Sequence, residues 1–587
     1  MASDTAAYGV DTEKLDAKHQ HLENGENDTV GIAFQADEAS LPPGYFRSSF
    51  FLGSMTAIGL GLMAGVAGFG YAAPILGIIN EDIGPDPNVV WVALSYTLTV
   101  AVSLTIIGRV SDIFGRRWVF IGGALLGVIG SIVCATAQSI NSLIGGTAII
   151  GIGAATQLSY YYVMGELVPM KHRLAGNAFC YLFTIPGSGI APAVANSLIL
   201  YHPSVGWRGC YYILIAINSL ALLCWILFYH PPTFRMKHGD DPIMTYVKNF
   251  DYLGTVMFTG GLMVLLLGLN WGGSVWPWSS AHVIATIIVG FVALCLFVLW
   301  ESFAKLKEPL VPMHLFRNRP WNAATIVSGL GASIYYAFAI VWPQMVAVLY
   351  SDAGSPMSGP WLSSLVGLCI VLGEIVGGFC AKSIGHLKYQ CFVTLLIGGI
   401  FFASVATCTP DTKARAAALV SLGVFFIGWT ESLAITIVTL TASNQNELGS
   451  ASGIAGSIRF LISSIAATVY TVILSNRLTQ TTTSQVIPAV INAGLSESSA
   501  LSFLAAFSVG PSAFEKVPGI TPTILAIGTR AYQEANASAY RTVFLTTIAF
   551  TGVAIIATLF LPNVDHLLTG NVATTLHERN KEDVVGS

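Results

Sequence analysis

Three ionisable residues stand where an apolar chain should carry none: Glu374, Glu431 and Arg459 each interrupt a hydrophobic run long enough to cross a bilayer. A charge at the centre of a membrane helix costs about 2.5–3.5 kcal/mol on insertion scales, so such groups face a cavity or one another. Two uses follow from their chemistry. A buried carboxyl can bind a proton and release it when a cation or water approaches, which makes Glu374 and Glu431, with Arg459, proton-coupling candidates. A fixed Glu431–Arg459 pair joining two helices is the other reading. Glu166 and Glu301, near the ends of similar runs, read as solvated anchors.

A second constellation is the turn Gly108-Arg109-Val-Ser-Asp112-Ile-Phe-Gly115-Arg116-Arg117, wedged between uncharged runs. Gly108 lets two helix ends approach closely, and Gly115 permits a sharp reversal. Asp112 with Arg116 and Arg117 offers a charge pair and a helix-end contact, the parts of a breakable latch or gate. The pattern returns weakened as Gly378-Phe-Cys-Ala-Lys382-Ser-Ile-Gly385-His-Leu-Lys388, with both glycines at the same spacing. A repeated charged turn implies two related bundles.

The elements that must hold these groups are membrane helices. Charged residues are 10% of the 587, against about 25% in soluble domains, apolar residues are 54%, and the mean hydropathy is +0.68. Fourteen runs between residues 50 and 561 reach the length of about 20 residues that a span requires. The expected fold is an all-α membrane protein of 14 transmembrane helices: two pseudo-symmetric six-helix bundles plus two linking helices. The boundaries are a polar tail 1–47, an amino-terminal bundle 48–229, a linker 230–320 and a carboxy-terminal bundle 321–561 with a long outside loop 475–539, whose Ser, Thr, Pro and Gly content with short apolar patches suggests a partly ordered cap. A tail 562–587 follows. Arg109, Arg116, Arg117, Lys171, Arg173, Lys305, Lys307, Lys382 and Lys388 fall on one side, while Arg208, Lys413, Arg415, Arg477, Lys516 and Arg530 fall on the other. The richer side is cytoplasmic by the positive-inside rule, with both termini on it. Asn536-Ala-Ser538 in the outside loop is a glycosylation candidate; Asn27-Asp-Thr29, on the cytoplasmic side, is not.

Several classes are excluded. A net charge of −4 without a basic face leaves nothing for nucleic acid, and no G-x-x-x-x-G-K-[ST] offers an ATP site. The nine cysteines lack metal spacing and read as small core residues, so no metal or cofactor is expected. No nucleophile or HExxH motif suggests an enzyme.

On these residues the chain resembles the major facilitator superfamily, whose loop between spans two and three carries G-x-x-x-D-x-x-G-R-[RK]. Fourteen spans resemble its drug:proton antiporter branch. The run Gln157-Leu-Ser-Tyr160-Tyr161-Tyr162-Val-Met-Gly165-Glu166-Leu-Val-Pro169 before Arg173, the Trp207-Arg208 pair and the His230-Pro-Pro stretch are similar to the fungal trichothecene efflux pump group and the related siderophore-iron transporters. The resemblance implies proton-coupled efflux of a toxin-like or other amphiphilic small molecule at the plasma membrane, with import of ferric siderophores as the alternative and a non-transporting sensor as a third reading. Two departures matter. Thr147 occupies the place of the superfamily's span-four arginine, so no proton-relay role transfers to it. The span-five antiporter motif G-x-x-x-G-P-x-x-G-G keeps Gly187 and Pro192 but loses three glycines; Gly187 and Gly189 read as helix-packing residues and Pro192 as a helix-bending one.

A cavity for such a substrate needs aromatic faces and a few neutral polar groups. Gln157 and Tyr161 in span four, Thr184 in span five, and Tyr336, Trp342 and Gln344 in span nine are the candidates. Tyr160, Tyr161 and Tyr162 differ by about 100° in direction on a helix, so at most two can face one cavity.

Overall fold

Glycines that tolerate positive φ set the sharpest helix ends. In the computed structural model, which describes residues 36–572 apart from 39–40, 42, 233, 235–237, 239–240, 274, 353, 443 and 510, Gly115 (φ 95°) separates α2 (Trp91–Phe114) from α3 (Arg116–Ala135). Gly385 (φ 69°) and His386 (φ 54°) make the corresponding reversal between α12 (Ser358–Ile384) and α13 (Leu387–Val405). The two turns that look related in sequence are therefore related in backbone. Asn27, with residues 1–35 and 573–587 of the two tails, lies outside the described residues.

The first half contains α1 (Ser49–Gly70), α2, α3, α4 (Ile140–Leu158) with α5 (Tyr160–Leu167), α6 (Arg173–Leu182) with α7 (Ala191–Tyr201), and α8 (Arg208–Phe228). The linking pair is α9 (Tyr252–Trp271) and α10 (Ala281–Phe303). The second half contains α11 (Arg319–Met345), α12, α13, α14 (Lys413–Thr441), α15 (Leu448–Asn492) and α17 (Pro522–Leu559), with α16 (Glu497–Val509) between the last two. Within the first half α1 packs on α4 and α8, and α3 on α4 and α8; in the second, α11 packs on α14 and α17, and α13 on α14 and α17. The halves repeat one packing plan. They meet through two main crossings, α2 against α15 and α12 against α6, while α9 leans on α2 and α15 from outside with α10 packed on α9.

Among the described residues, thirteen helices are long and apolar enough to span a membrane. The expected fifth span is absent from that number because it is broken: α6 gives way to a π-helical turn at Ile185–Gly189, and α7 restarts beside Pro192. Gly187 sits against Met63 and Ala67 of α1, and Gly189 against Leu368 of α12. The small residues do allow close packing at the kink.

Three expectations need correction. Residues 475–539 are not a loop: α15 and α17 run on beyond their apolar parts and, with α16, enclose a separate core around Val490, Phe503 and Ile524. Asn536 is 2% exposed inside α17, its amide donating to the Tyr532 carbonyl at 2.8 Å, so the fold leaves no accessible glycan acceptor there. Seven cysteines are buried or half-buried, but Cys295 and Cys380 are exposed.

The described parts of the tails also have structure. Ala36–Asp37 pairs antiparallel with Asn571–Val572, and Lys171 forms an ion pair with Glu38 and donates its backbone N–H to the Thr569 carbonyl. Asp565 accepts from the backbone N–H groups of His386 and Leu387. The described parts of both tails thus lie at the end of the molecule that carries the charged turns. Lys171 holds the Glu38 carboxyl below its usual value of 4.5, so this clasp is complete at neutral pH and loosens only on acidification through that lowered value.

Candidate functional site

Helix α15 begins without a cap of its own, since the side chain of Glu447 accepts nothing from its first turn. The orphan N–H groups are met from the other half instead. Asp112 of α2 accepts from Gly449 N (3.1 Å), Ser450 N (2.5 Å) and Ser450 Oγ (2.6 Å). A carboxylate at a helix amino terminus meets both the free donors and the positive end of the dipole. Arg116 bridges Asp112, at 2.7 Å, to Glu166 and donates to Ser111 Oγ at 2.6 Å, with its guanidinium 4.4 Å from the centre of the Tyr162 ring. Glu166 is therefore a buried member of the latch and not a solvated anchor.

Beside the α12–α6 crossing, α6 also meets the end of α14, and there the charge is opposite. Arg173, wholly buried at the start of α6, donates to the Thr439 carbonyl (2.9 Å) and to Gln445 Oε1 (2.8 Å) at the carboxy-terminal end of α14. One turn on, Asn177 donates to Thr436 Oγ1 at 2.8 Å. A cation on a helix carboxy terminus complements the anion on a helix amino terminus. Sequence reading missed this pair by treating Arg173 as a topology charge; its signal was the polar Asn177 at i+4 on the same face.

The remaining turn residues divide. Gly108 lies against the backbone of Gly449 and Gly453, and Gly378 against Leu174 and Ala178, so each repeat glycine marks a crossing between halves. Arg109 pairs with Glu308 at 2.7 Å and fastens the linker. Arg117 donates to the Ile226 carbonyl of α8. A Cβ at Gly108 would overlap the Gly449 carbonyl, and overpacking of this kind costs about 1–3 kcal/mol. Gly108→Val should therefore lower flux about tenfold at unchanged surface abundance, while Gly122→Val, where nothing lies within 4 Å, should leave flux in the same assay unchanged.

Between the crossings lies the second cluster. Arg459 of α15 pairs with Glu431 of α14, so the expected ion pair forms. The Arg459 side chain is 26% exposed although it sits well inside the helix. Glu374 of α12 is buried within electrostatic reach of Arg459, and among the described residues nothing hydrogen-bonds to its carboxyl. Tyr160 and Tyr181 from the first half and Tyr335 from the second lie around Glu374. Tyr161 donates to the Ser452 carbonyl at 2.6 Å and, with half-buried Tyr336, lies near Arg459.

The other four expected cavity residues differ in exposure and in hydrogen bonding. Gln157 is a strut within the first half: its amide donates to the Phe120 carbonyl (3.2 Å) and accepts from Trp225 Nε1 (3.2 Å). Thr184 is buried with its hydroxyl on the Tyr181 carbonyl, and Trp342 is buried with its indole N–H on the Leu362 carbonyl. Gln344 is exposed. A mid-span polar residue has two ways to be satisfied, cavity or neighbouring backbone, and sequence does not distinguish them.

Comparisons with known proteins bear on family and fold. The family model "Fungal trichothecene efflux pump (TRI12)" matches residues 11–586. The chain is 28% identical over 567 residues to the trichothecene efflux pump TRI12 of Trichoderma arundinaceum, covering 94% of this chain and 93% of that protein. It is 31% identical over 447 residues to the MFS-type transporter prx5 of Penicillium rubens, covering 75% and 80%. In fold it is similar to the major facilitator superfamily proton:xylose symporter XylE, with a TM-score of 0.52, 14% identity and coverage of 89% and 99%.

Proposed function

Since the chain belongs to the fungal trichothecene efflux pump (TRI12) family of major facilitator transporters, we propose that it exports an amphiphilic, oxygenated small molecule of the trichothecene kind in exchange for protons. On this reading the kinked segment 173–201 is the fourteenth span. The pairing of the two tails at the end that bears the charged turns supports an even number of crossings, with both termini cytoplasmic at the plasma membrane. Residues 48–229 and 321–561 are the two bundles that rock about the site, and 230–320 links them.

The observation that carries this reading is Glu374: a buried carboxyl with no hydrogen-bond partner among the described residues, within electrostatic reach of tyrosines of both halves and of Arg459 in the Glu431–Arg459 pair. An acid without a fixed partner is free to carry a proton; Glu431, held by Arg459, is the poorer carrier. Aromatic faces and hydroxyls around it suit an oxygenated apolar ligand. Closure of the latch at the cytoplasmic end leaves the site to open outward, and breaking the latch opens it inward.

Purified protein in sealed vesicles tests the proposal. A labelled trichothecene should accumulate against its gradient when a pH difference is imposed, and a protonophore should abolish accumulation. Proton-driven uptake of a ferric siderophore with no movement of the toxin would overturn it.

A further inference from the structure

Where the linking helices lean on the seam between the halves they leave a crevice of about 180 Å³. Phe258 and Leu262 of α9, Leu294 and Phe297 of α10, and Ile458 and Leu461 of α15 line it. Its two hydroxyls are already committed: Thr105 donates to Ser457 Oγ at 2.7 Å, and Ser457 donates to the Ala101 carbonyl at 2.7 Å. No donor is left for a polar ligand, so the crevice accepts hydrocarbon. It is separate from the central site, and its occupant does not follow from the transport reading.

The rim identifies that occupant. A 3₁₀ helix at Met313–Arg317 closes one end of the crevice. With three residues per turn, Met313 and Phe316 share one side, and both line the crevice. His314 and Arg317 share another side and, with Arg319, line an open basin of about 500 Å³ immediately beside it. His314 pairs with Glu447 at 2.9 Å, whereas Arg317 and Arg319 are exposed and form no ion pair among the described residues. Lys305 and Lys307 are exposed on the same connection, and its Glu308 is taken by Arg109. One short segment therefore presents hydrocarbon contacts on one side and unpaired cations on the other.

We propose that this seam binds one anionic phospholipid, with an acyl chain in the crevice and its phosphate on Arg317 and Arg319. Charge complementarity selects the anionic headgroup over a zwitterionic one. Because Thr105 and Ser457 come from opposite halves, the crevice exists only while α2 and α15 stay together, and a bound lipid stabilises the closed latch.

Native mass spectrometry of the full chain extracted from phosphatidylcholine vesicles containing phosphatidylserine tests this. Phosphatidylserine should be retained in preference to phosphatidylcholine, and Arg317→Gln with Arg319→Gln should lower its retention by roughly tenfold to thirtyfold, as expected for two basic residues at a membrane surface. Both arginines are exposed, so the double variant keeps its fold. Leu294→Trp, which fills the crevice, should lower retention without touching the cations; if that variant does not fold, the arginine pair decides alone. Equal retention of both lipids, or undiminished phosphatidylserine on the double arginine variant, would overturn the proposal.

Discussion

Asp112→Asn should shift the protein out of the state that is closed at the charged turns. Asparagine keeps the shape but removes the charge that faces the α15 amino terminus and Arg116, where the aspartate now makes three hydrogen bonds and an ion pair. Taking one partner from a buried charged network costs about 3–5 kcal/mol, and even 3 kcal/mol corresponds to roughly a hundredfold change in population. The loss falls on one state of two, so net flux should drop at least about tenfold while the melting temperature changes little. Arg173→Gln, where α6 meets the end of α14, should act in the same direction. Wild-type flux in Asp112→Asn, measured at equal surface abundance, would remove the latch from the transport cycle.

Glu374→Gln should abolish flux driven by a pH gradient while leaving passive exchange of substrate intact, because the amide keeps size and polarity but cannot carry the proton. Glu431→Gln should behave differently. It strands Arg459 without its partner inside the membrane region, a loss of about 3–5 kcal/mol that lowers yield and thermal stability. Glu431→Leu with Arg459→Met should recover much of that stability, since removing both members of a buried pair is close to neutral. Comparing proton-dependent and proton-independent flux across these three variants separates carrier from strut. Normal proton dependence in Glu374→Gln would assign the coupling elsewhere.

The charged turns and the Glu431–Arg459 pair were legible in sequence because each is a conspicuous exception: glycine plus charge between apolar runs, or charge within one. What was not legible depended on where hydrogen bonds go. The stretch from Ser475 reads as a partly ordered cap by its Ser and Thr content and short apolar patches, and its helical continuation is not foreseen: Thr479, Thr481, Thr482 and Thr483 each bond the carbonyl four residues back, so the helix satisfies its own hydroxyls and continues. Gln157 looked like a ligand contact and is a brace between three helices of one half. The three consecutive tyrosines point three ways as helical geometry requires: Tyr161 reaches Ser452 across the seam, Tyr162 supports Ser111 in the latch, and Tyr160 turns toward Tyr181. The trans-acting cap on α15 had no local signature, because its two parts lie far apart in sequence.

Distances between spin labels at the two ends of the molecule test the central claim most directly. With the exposed Cys295 and Cys380 replaced, one pair is placed at the charged-turn end, on exposed Trp118 of α3 and Tyr389 of α13, and the other on exposed Tyr201 and Asp352 at the opposite end. Two halves that rock about a central site should give two populations whose end-to-end changes oppose each other, and Asp112→Asn should enrich the one open at the charged turns. Distances that lengthen or shorten together at both ends, or a distribution unmoved by Asp112→Asn, would contradict the account.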